Sequence, residues 1–285
     1  MKITFGVDSF IWTENFSEKD LWIIKKAEEL GFEVIDFAIA HPETFPTERV
    51  KEELAKTHLR AVTTTTLDAS TNLISEDEKV RRCGIEAMKQ LVDINKELSS
   101  TILGGVNYAG WGCLSGKPRT EEEWKHSVEA MREVGEYALK VHPQLNICVE
   151  AVNRFETHFI NIAEDGVRYC KDVGTGNINL DCFHMIREEK SFTKAVETCG
   201  KEYLGYVHVN ENDRGIPGTG MVPFKEFFTA LKKIGYSEPC TIESFDPSFE
   251  ELNKNCAIWR SFAKTGEELA VKGLANLQKI ADEIN

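Results

Sequence analysis

LNICVEAVNRFETHFINIAEDGVRYCKDVGTGNINLD (residues 145–181) holds the pattern that decides the fold. The apolar run LNICV ends in Glu150, and a polar loop follows. Residues 163–173 then carry apolar side chains at helical spacing, and a second apolar run, INL, ends in Asp181. Strand, helix and strand in that order make a parallel unit, because two parallel strands need a long crossover between them. The unit recurs in both directions. Strand candidates upstream are ITFGVDS (3–9), EVIDFAI (33–39), LRAVTTTT (59–66) and TILGGV (101–106); downstream are LGYVHV (204–209) and CTIES (240–244). With LNICVE (145–150) and INLD (178–181) they number eight, the count that closes an α/β (β/α)8 TIM barrel.

Segments with helical apolar spacing separate the strands: 18–30, stopped by Gly31; a short one at 47–57; 76–99; 121–141; 188–199; 224–234, stopped by Gly235; and 251–270, followed by a C-terminal helix at 266–283. No Pro/Gly/Ser linker interrupts the alternation, so residues 1–285 are expected to form a single domain. The long loop NYAGWGCLSGKPRT (107–120) has the character of a lid. An open doubly wound sheet would carry a glycine-rich fingerprint after its first strand, and GVDSFIW has none.

Charge and cysteine usage narrow the function. Forty-seven acidic against 34 basic residues give a net charge of -13, which repels a phosphate backbone and argues against nucleic acid. MKITFGVDSFIW reads as a strand and not a signal peptide, and no apolar stretch is long enough to span a bilayer. Eight scattered cysteines without a C-x-x-C pair fit reduced thiols and a cytoplasmic location, which makes Asn15-Phe16-Ser17 a chance sequon.

Glu150, Asp181, His208 and Glu243 each close one of four consecutive apolar runs. A single strand-end carboxylate is explained by a salt bridge or a helix cap. Four in succession on neighbouring barrel strands converge at the face where such folds build their sites, and three oxygen donors plus one imidazole suit a divalent cation such as Mn²⁺, Co²⁺ or Mg²⁺. Around them lie Glu156, His184 and Arg214 in loops, with Arg154 read as an ion-pair strut and His158 as a surface residue. Phe10, Trp12, Trp111 and Phe245 fall near strand ends, where rings stack on the apolar face of a sugar or simply pack the core. IPGTG (216–220) contains no Lys or Arg, so it reads as a tight turn and not a phosphate cradle, which favours a free sugar.

VNRFETHFIN, NLDCFHMIREE, HVNENDRGIPGTG and TIESFDP together resemble the ketose 3-epimerases, the D-tagatose, D-allulose (psicose) and L-ribulose 3-epimerase family of the xylose-isomerase-like barrels. The resemblance covers nearly the whole chain. It implies one divalent metal ion per subunit, Mn²⁺ foremost, held by Glu150, Asp181, His208 and Glu243. It also implies sugar contacts from Glu156, His184 and Arg214, a lid aromatic at Trp111, further aromatic contacts from Phe10 and Trp12, and a homodimer or homotetramer. The chain departs from the family pattern at Asn210, where glycine is usual, at Asp213-Arg214, and at Cys182, where threonine is common. These departures spare every ligand and bear on sugar preference. Epimerisation at C3 needs a proton removed from one face and returned to the other, a task for two carboxylates, Glu150 and Glu243. The same barrel also carries aldose–ketose isomerases, inosose dehydratase and endonuclease IV-type nucleases; one metal cage and the acidic charge favour the epimerase.

Overall fold

The computed structural model describes residues 2–245 and 248–284. Eight parallel strands close a barrel in chain order: β1 (Phe5–Asp8), β2 (Val34–Ala38), β3 (Arg60–Leu67), β4 (Ile102–Gly110), β5 (Asn146–Glu150), β6 (Asn177–Asp181), β7 (Leu204–His208) and β8 (Cys240–Ile242), with β1 also paired to β8. Helices α1 (Trp22–Glu29), α2 (Thr47–Leu54), α3 (Glu78–Glu97), α4 (Glu121–Val141), α5 (Ala163–Val173), α6 (Cys182–Glu188), α7 (Phe192–Tyr203), α8 (Phe224–Ile234), α9 (Glu250–Asn255) and α10 (Gly266–Asp282) occupy the crossovers and the C-terminal end. The strands are buried on both faces, as parallel strands under a helical ring must be. The longer helices turn an apolar stripe inward; on α1, Ile23 and Ile24 are fully buried, each contributing roughly 1.5–3 kcal/mol.

Register aligns the strand ends. Asp181 is paired with His208 across β6 and β7, and His208 with Thr241 across β7 and β8. Glu150 ends β5, and Glu243 follows the last residue of β8. Three element boundaries differ from the sequence reading. β4 continues through Asn107–Gly110, so the lid loop begins at Trp111; a register shift between Thr66 and Leu67 brings Leu67 opposite Gly110. Ahead of the shift, Gly105 lets β4 lie close against Thr65 of β3, since its φ is +99° and a Cβ there would lie 2.1 Å from the Thr65 carbonyl oxygen. The 188–199 helix starts later and runs on as α7 after Ser191, which caps it, while a separate α6, not read from the sequence, starts directly after Asp181, whose side chain caps it. The 251–270 helix is split, because Ala257 adopts φ +53° and Thr265 caps a fresh N-terminus at α10. Asp246 and Pro247 of the TIESFDP motif lie outside the described residues.

Candidate active site

The four strand-end residues meet. One donor atom from each of Glu150, Asp181, His208 and Glu243 lies within 4.8 Å of the others, and all four residues are buried. His208 Nδ1 stands 3.6 Å from Glu150 Oε1, 3.5 Å from Glu243 Oε2 and 3.9 Å from Asp181 Oδ2. These separations are too long for good hydrogen bonds. Glu150 Oε1 and both ring nitrogens of His208 have no hydrogen-bond partner among the described residues. Of these, Glu150 Oε1 and His208 Nδ1 face one gap in a buried site, which is costly unless a cation fills it, and this N/O set fits a hard or borderline divalent ion.

The sequence reading passed over the groups that hold this cage. Asp36, in mid-β2, faces His208 Nε2 at 3.5 Å and accepts from the Tyr206 hydroxyl at 2.6 Å. Its position orients the ring so that Nδ1 points at the three carboxylates. An aspartate inside the apolar run EVIDFAI was the available signal, since a buried mid-strand charge calls for a reason. Asp8, at the end of β1, is fully buried; burial first, then the nearby Asp36 and Glu243, raise its pKa well above the carboxylate range.

The cage carboxylates sit in unlike surroundings. Burial pushes the Glu150 carboxyl up. Burial acts on Glu243 in the same sense, but the Arg214 guanidinium and His208 outweigh it and hold that carboxyl down at about 2. Burial disfavours the His208 imidazolium, yet Glu243, Asp36 and Glu150 outweigh it and raise its pKa. Arg214 is itself buried, with Nη1 3.1 Å from Asp181 Oδ2 and 2.5 Å from Glu243 Oε2, and its guanidinium packed 4.2 Å over the Phe183 ring. Its φ of +62° is strained for a residue with a Cβ, and the Ser244 hydroxyl, donating to the Arg214 carbonyl, pins it there.

A cavity of about 350 Å³ opens above the cage, lined by Glu150, Glu243, Glu156, His184, Arg214, Trp111 and Phe10. Asp181 and His208, both fully buried, are not among its lining residues, so two of the four cage residues face the cavity and two lie beneath. Glu156 accepts from Trp111 Nε1 at 2.7 Å and from Asn153 Nδ2 at 2.7 Å. The Asn153 backbone N–H donates to His184 Nδ1 at 3.1 Å, and His184 Nε2 lies 3.3 Å from Arg214 Nη2 and 3.7 Å from both Glu150 and Asp181. Loops after β1, β2 and β3 supply the opposite wall with Glu14, His41 and Asp68, none of them singled out from the sequence.

Other expectations divide. Trp12 does not line the cavity: the short 3-10 turn Ser9–Ile11 sends Phe10 to the mouth, 5.5 Å from the Phe245 ring, and Trp12 packs half-buried against the core. Arg154 is an ion-pair strut, 2.8 Å from Glu188. His158 is not a surface residue; its side chain is 12% exposed and meets Glu123 at 3.3 Å. The IPGTG turn wraps around Glu211, which accepts from the backbone N–H groups of Asn212, Gly218 and Val222 at 2.9–3.0 Å. An internal carboxylate takes those amides, so the turn offers no phosphate cradle.

Comparison with known proteins agrees with this geometry. Residues 24–280 match the xylose isomerase-like TIM barrel family. The L-ribulose 3-epimerase of Methylomonas sp. (strain DH-1) is 32% identical over 278 residues, covering 96% of each chain. The ketose 3-epimerase of Arthrobacter globiformis is 34% identical over 275 residues, 94% of this chain and 93% of the relative. A crystal structure of D-allulose 3-epimerase from Methylomonas sp. in complex with D-allulose superposes with a TM-score of 0.92 at 31% identity, covering 98% of this chain and 97% of that one. A closed eight-stranded barrel, a buried three-carboxylate, one-histidine cage under a cavity and full-length identity above 30% agree, and the chain belongs to the ketose 3-epimerase family of isomerases.

Proposed function

We propose that this protein is a metal-dependent ketose 3-epimerase acting on free ketoses, of the D-tagatose/D-sorbose, D-fructose/D-allulose or L-ribulose/L-xylulose type. The observation that carries the proposal is that Glu150 and Glu243, and not Asp181 or His208, line the cavity. Two carboxylates within 4.8 Å of each other, both reaching the substrate space, are what moving a proton between opposite faces of one carbon requires.

Glu150, Asp181, His208 and Glu243 would hold one divalent ion, Mn²⁺ first and Co²⁺ or Mg²⁺ as alternatives, which supplies Lewis-acid stabilisation of the negative charge that develops when C3 is deprotonated. The protein's own groups do the rest. Glu243, paired with Arg214, takes the C3 proton; Glu150, on the other side of the carbon, returns one to the opposite face, and the roles reverse for the back reaction. His184 and the Arg214 guanidinium hold the substrate oxygens beside C3. Glu156, held by Trp111 and Asn153, accepts from the hydroxyl at O1 or its neighbour. Trp111 closes over the sugar and Phe10 stacks against its apolar edge.

An acidic far wall with Glu14 and Asp68, and the occupied IPGTG turn, support unphosphorylated substrates. A homodimer or homotetramer is part of this proposal through the resemblance to the family alone. Eight free cysteines support a cytoplasmic location. No helix among the described residues is long and apolar enough to cross a membrane.

The test is incubation of metal-stripped protein with D-fructose, D-tagatose and L-ribulose, with and without Mn²⁺. Mn²⁺-dependent formation of the C3 epimer supports the proposal, and the relative rates name the sugar. Aldose products would replace it with an aldose–ketose isomerase.

A further inference from the structure

Asn210 sits, 1% exposed, two residues beyond His208. Its amide touches the ends of two strands, β6 and β8. Nδ2 donates to Asp181 Oδ2 at 2.8 Å, at the end of β6, and reaches Glu243 Oε2 at 3.4 Å; Oδ1 accepts from the Glu243 backbone N–H at 2.7 Å, just beyond β8. The surroundings fix which way the amide faces, since the backbone N–H can only donate and the carboxylates accept.

Asp181 and Glu243 each have a reason to need this partner. Asp181 uses Oδ1 to cap α6 through the Phe183 N–H at 2.7 Å, leaving Oδ2 as the oxygen for the cage. Glu243 lies past the last ladder residue of β8, so neighbouring strands do not position its backbone as they do that of Asp181 or His208. One side chain carrying both a donor and an acceptor ties this loose residue to the rigid one. Aspartate at the same place would lack the donor, and serine would lack the reach.

We infer that Asn210 is a positioning residue for the metal cage, orienting Asp181 Oδ2 and the Glu243 carboxylate so that both meet the cation without searching. The inference rests on the metal-site reading proposed above. Loss of a hydrogen-bonding partner of a ligating carboxylate lowers metal affinity by about 10–100-fold.

The experiment is a Mn²⁺ titration of the metal-stripped full chain, free Mn²⁺ being followed by electron paramagnetic resonance, for wild type, Asn210→Ala and Asn210→Gly. Melting temperatures of the metal-free proteins are measured beside it. The expected result is a Kd for Mn²⁺ raised about tenfold or more in both variants. Binding within about twofold of wild type in the folded variants, even with a lowered melting temperature, overturns the inference and makes Asn210 a structural staple only. If the alanine variant does not fold, the glycine variant decides alone, and if neither folds the positioning role is overturned in favour of a structural one. Failure of wild type itself to bind Mn²⁺ removes the metal-site reading, which separates that outcome from a failure of Asn210 alone.

Discussion

Glu150 and Glu243 differ in what surrounds them, and this difference makes the pair useful. Glu243 has a guanidinium against one oxygen, while Glu150 Oε1 has no partner among the described residues. Replacing either by glutamine keeps the shape and removes the proton carrier, so kcat should fall by about 10²–10⁴-fold in both variants. A loss of less than tenfold in either, measured at saturating Mn²⁺, would mean that residue is a ligand and not a proton carrier. At this scale the sequence was informative where charge stood at the end of an apolar run, as at Glu150, Asp181, His208 and Glu243. It was less so for partners that act through another residue: Asn210 was visible only as a departure, and Asp36 was hidden inside a strand. Trp12 misled because ring chemistry suited a sugar while only the backbone turn decided which ring faces the cavity.

Among the elements, α4 shows how a local signal fixes a boundary. Thr120 and Glu123 form a reciprocal cap, the Thr120 hydroxyl accepting from the Glu123 N–H at 3.1 Å and Glu123 Oε2 accepting from the Thr120 N–H at 2.7 Å. Thr120→Ala should cost about 1 kcal/mol of stability by denaturant titration. Burial pushes the Glu123 carboxyl up, but hydrogen bonds from Thr120 and His158 outweigh it and hold it below the usual range. A folded value below the unfolded one contributes stability that is complete above about pH 4.3 and is lost as pH falls through the folded value. The stability gap between wild type and Glu123→Gln should therefore be full at pH 7 and close in strong acid; a gap independent of pH would contradict this account of the cap. Residues 121–141, 163–173 and 224–234 were legible as helices because their apolar spacing and end residues agree, and the structure keeps the same bounds. Segment 251–270 was not, since its helical spacing runs across Ala257, whose left-handed backbone breaks the helix for reasons outside the local pattern.

For the molecule as a whole, the barrel gathers negative charge at one end. Three cage carboxylates and neighbouring Asp36 are buried together, so a bound cation should stabilise the folded state over the unfolded chain. At free Mn²⁺ about 100 times its Kd the gain is about 2.7 kcal/mol, which raises the melting temperature and is reversed by chelation. A melting temperature indifferent to Mn²⁺ and chelator would count against the cage. The barrel itself was readable because eight apolar runs alternate with amphipathic segments, a periodicity that tertiary packing reinforces. Cavity walls from β1 to β3 were not readable, because Glu14, His41 and Asp68 have no pattern of their own and only closure of the barrel brings them opposite Glu150 and Glu243.

The central claim is that one carbon, C3, loses and regains a proton between Glu150 and Glu243. The direct measurement is turnover of a ketose by the Mn²⁺-loaded enzyme in deuterium oxide, with the position of the label read by nuclear magnetic resonance. Deuterium at C3 of the epimer and none at C1 is the predicted result; deuterium at C1 with aldose formation would contradict it.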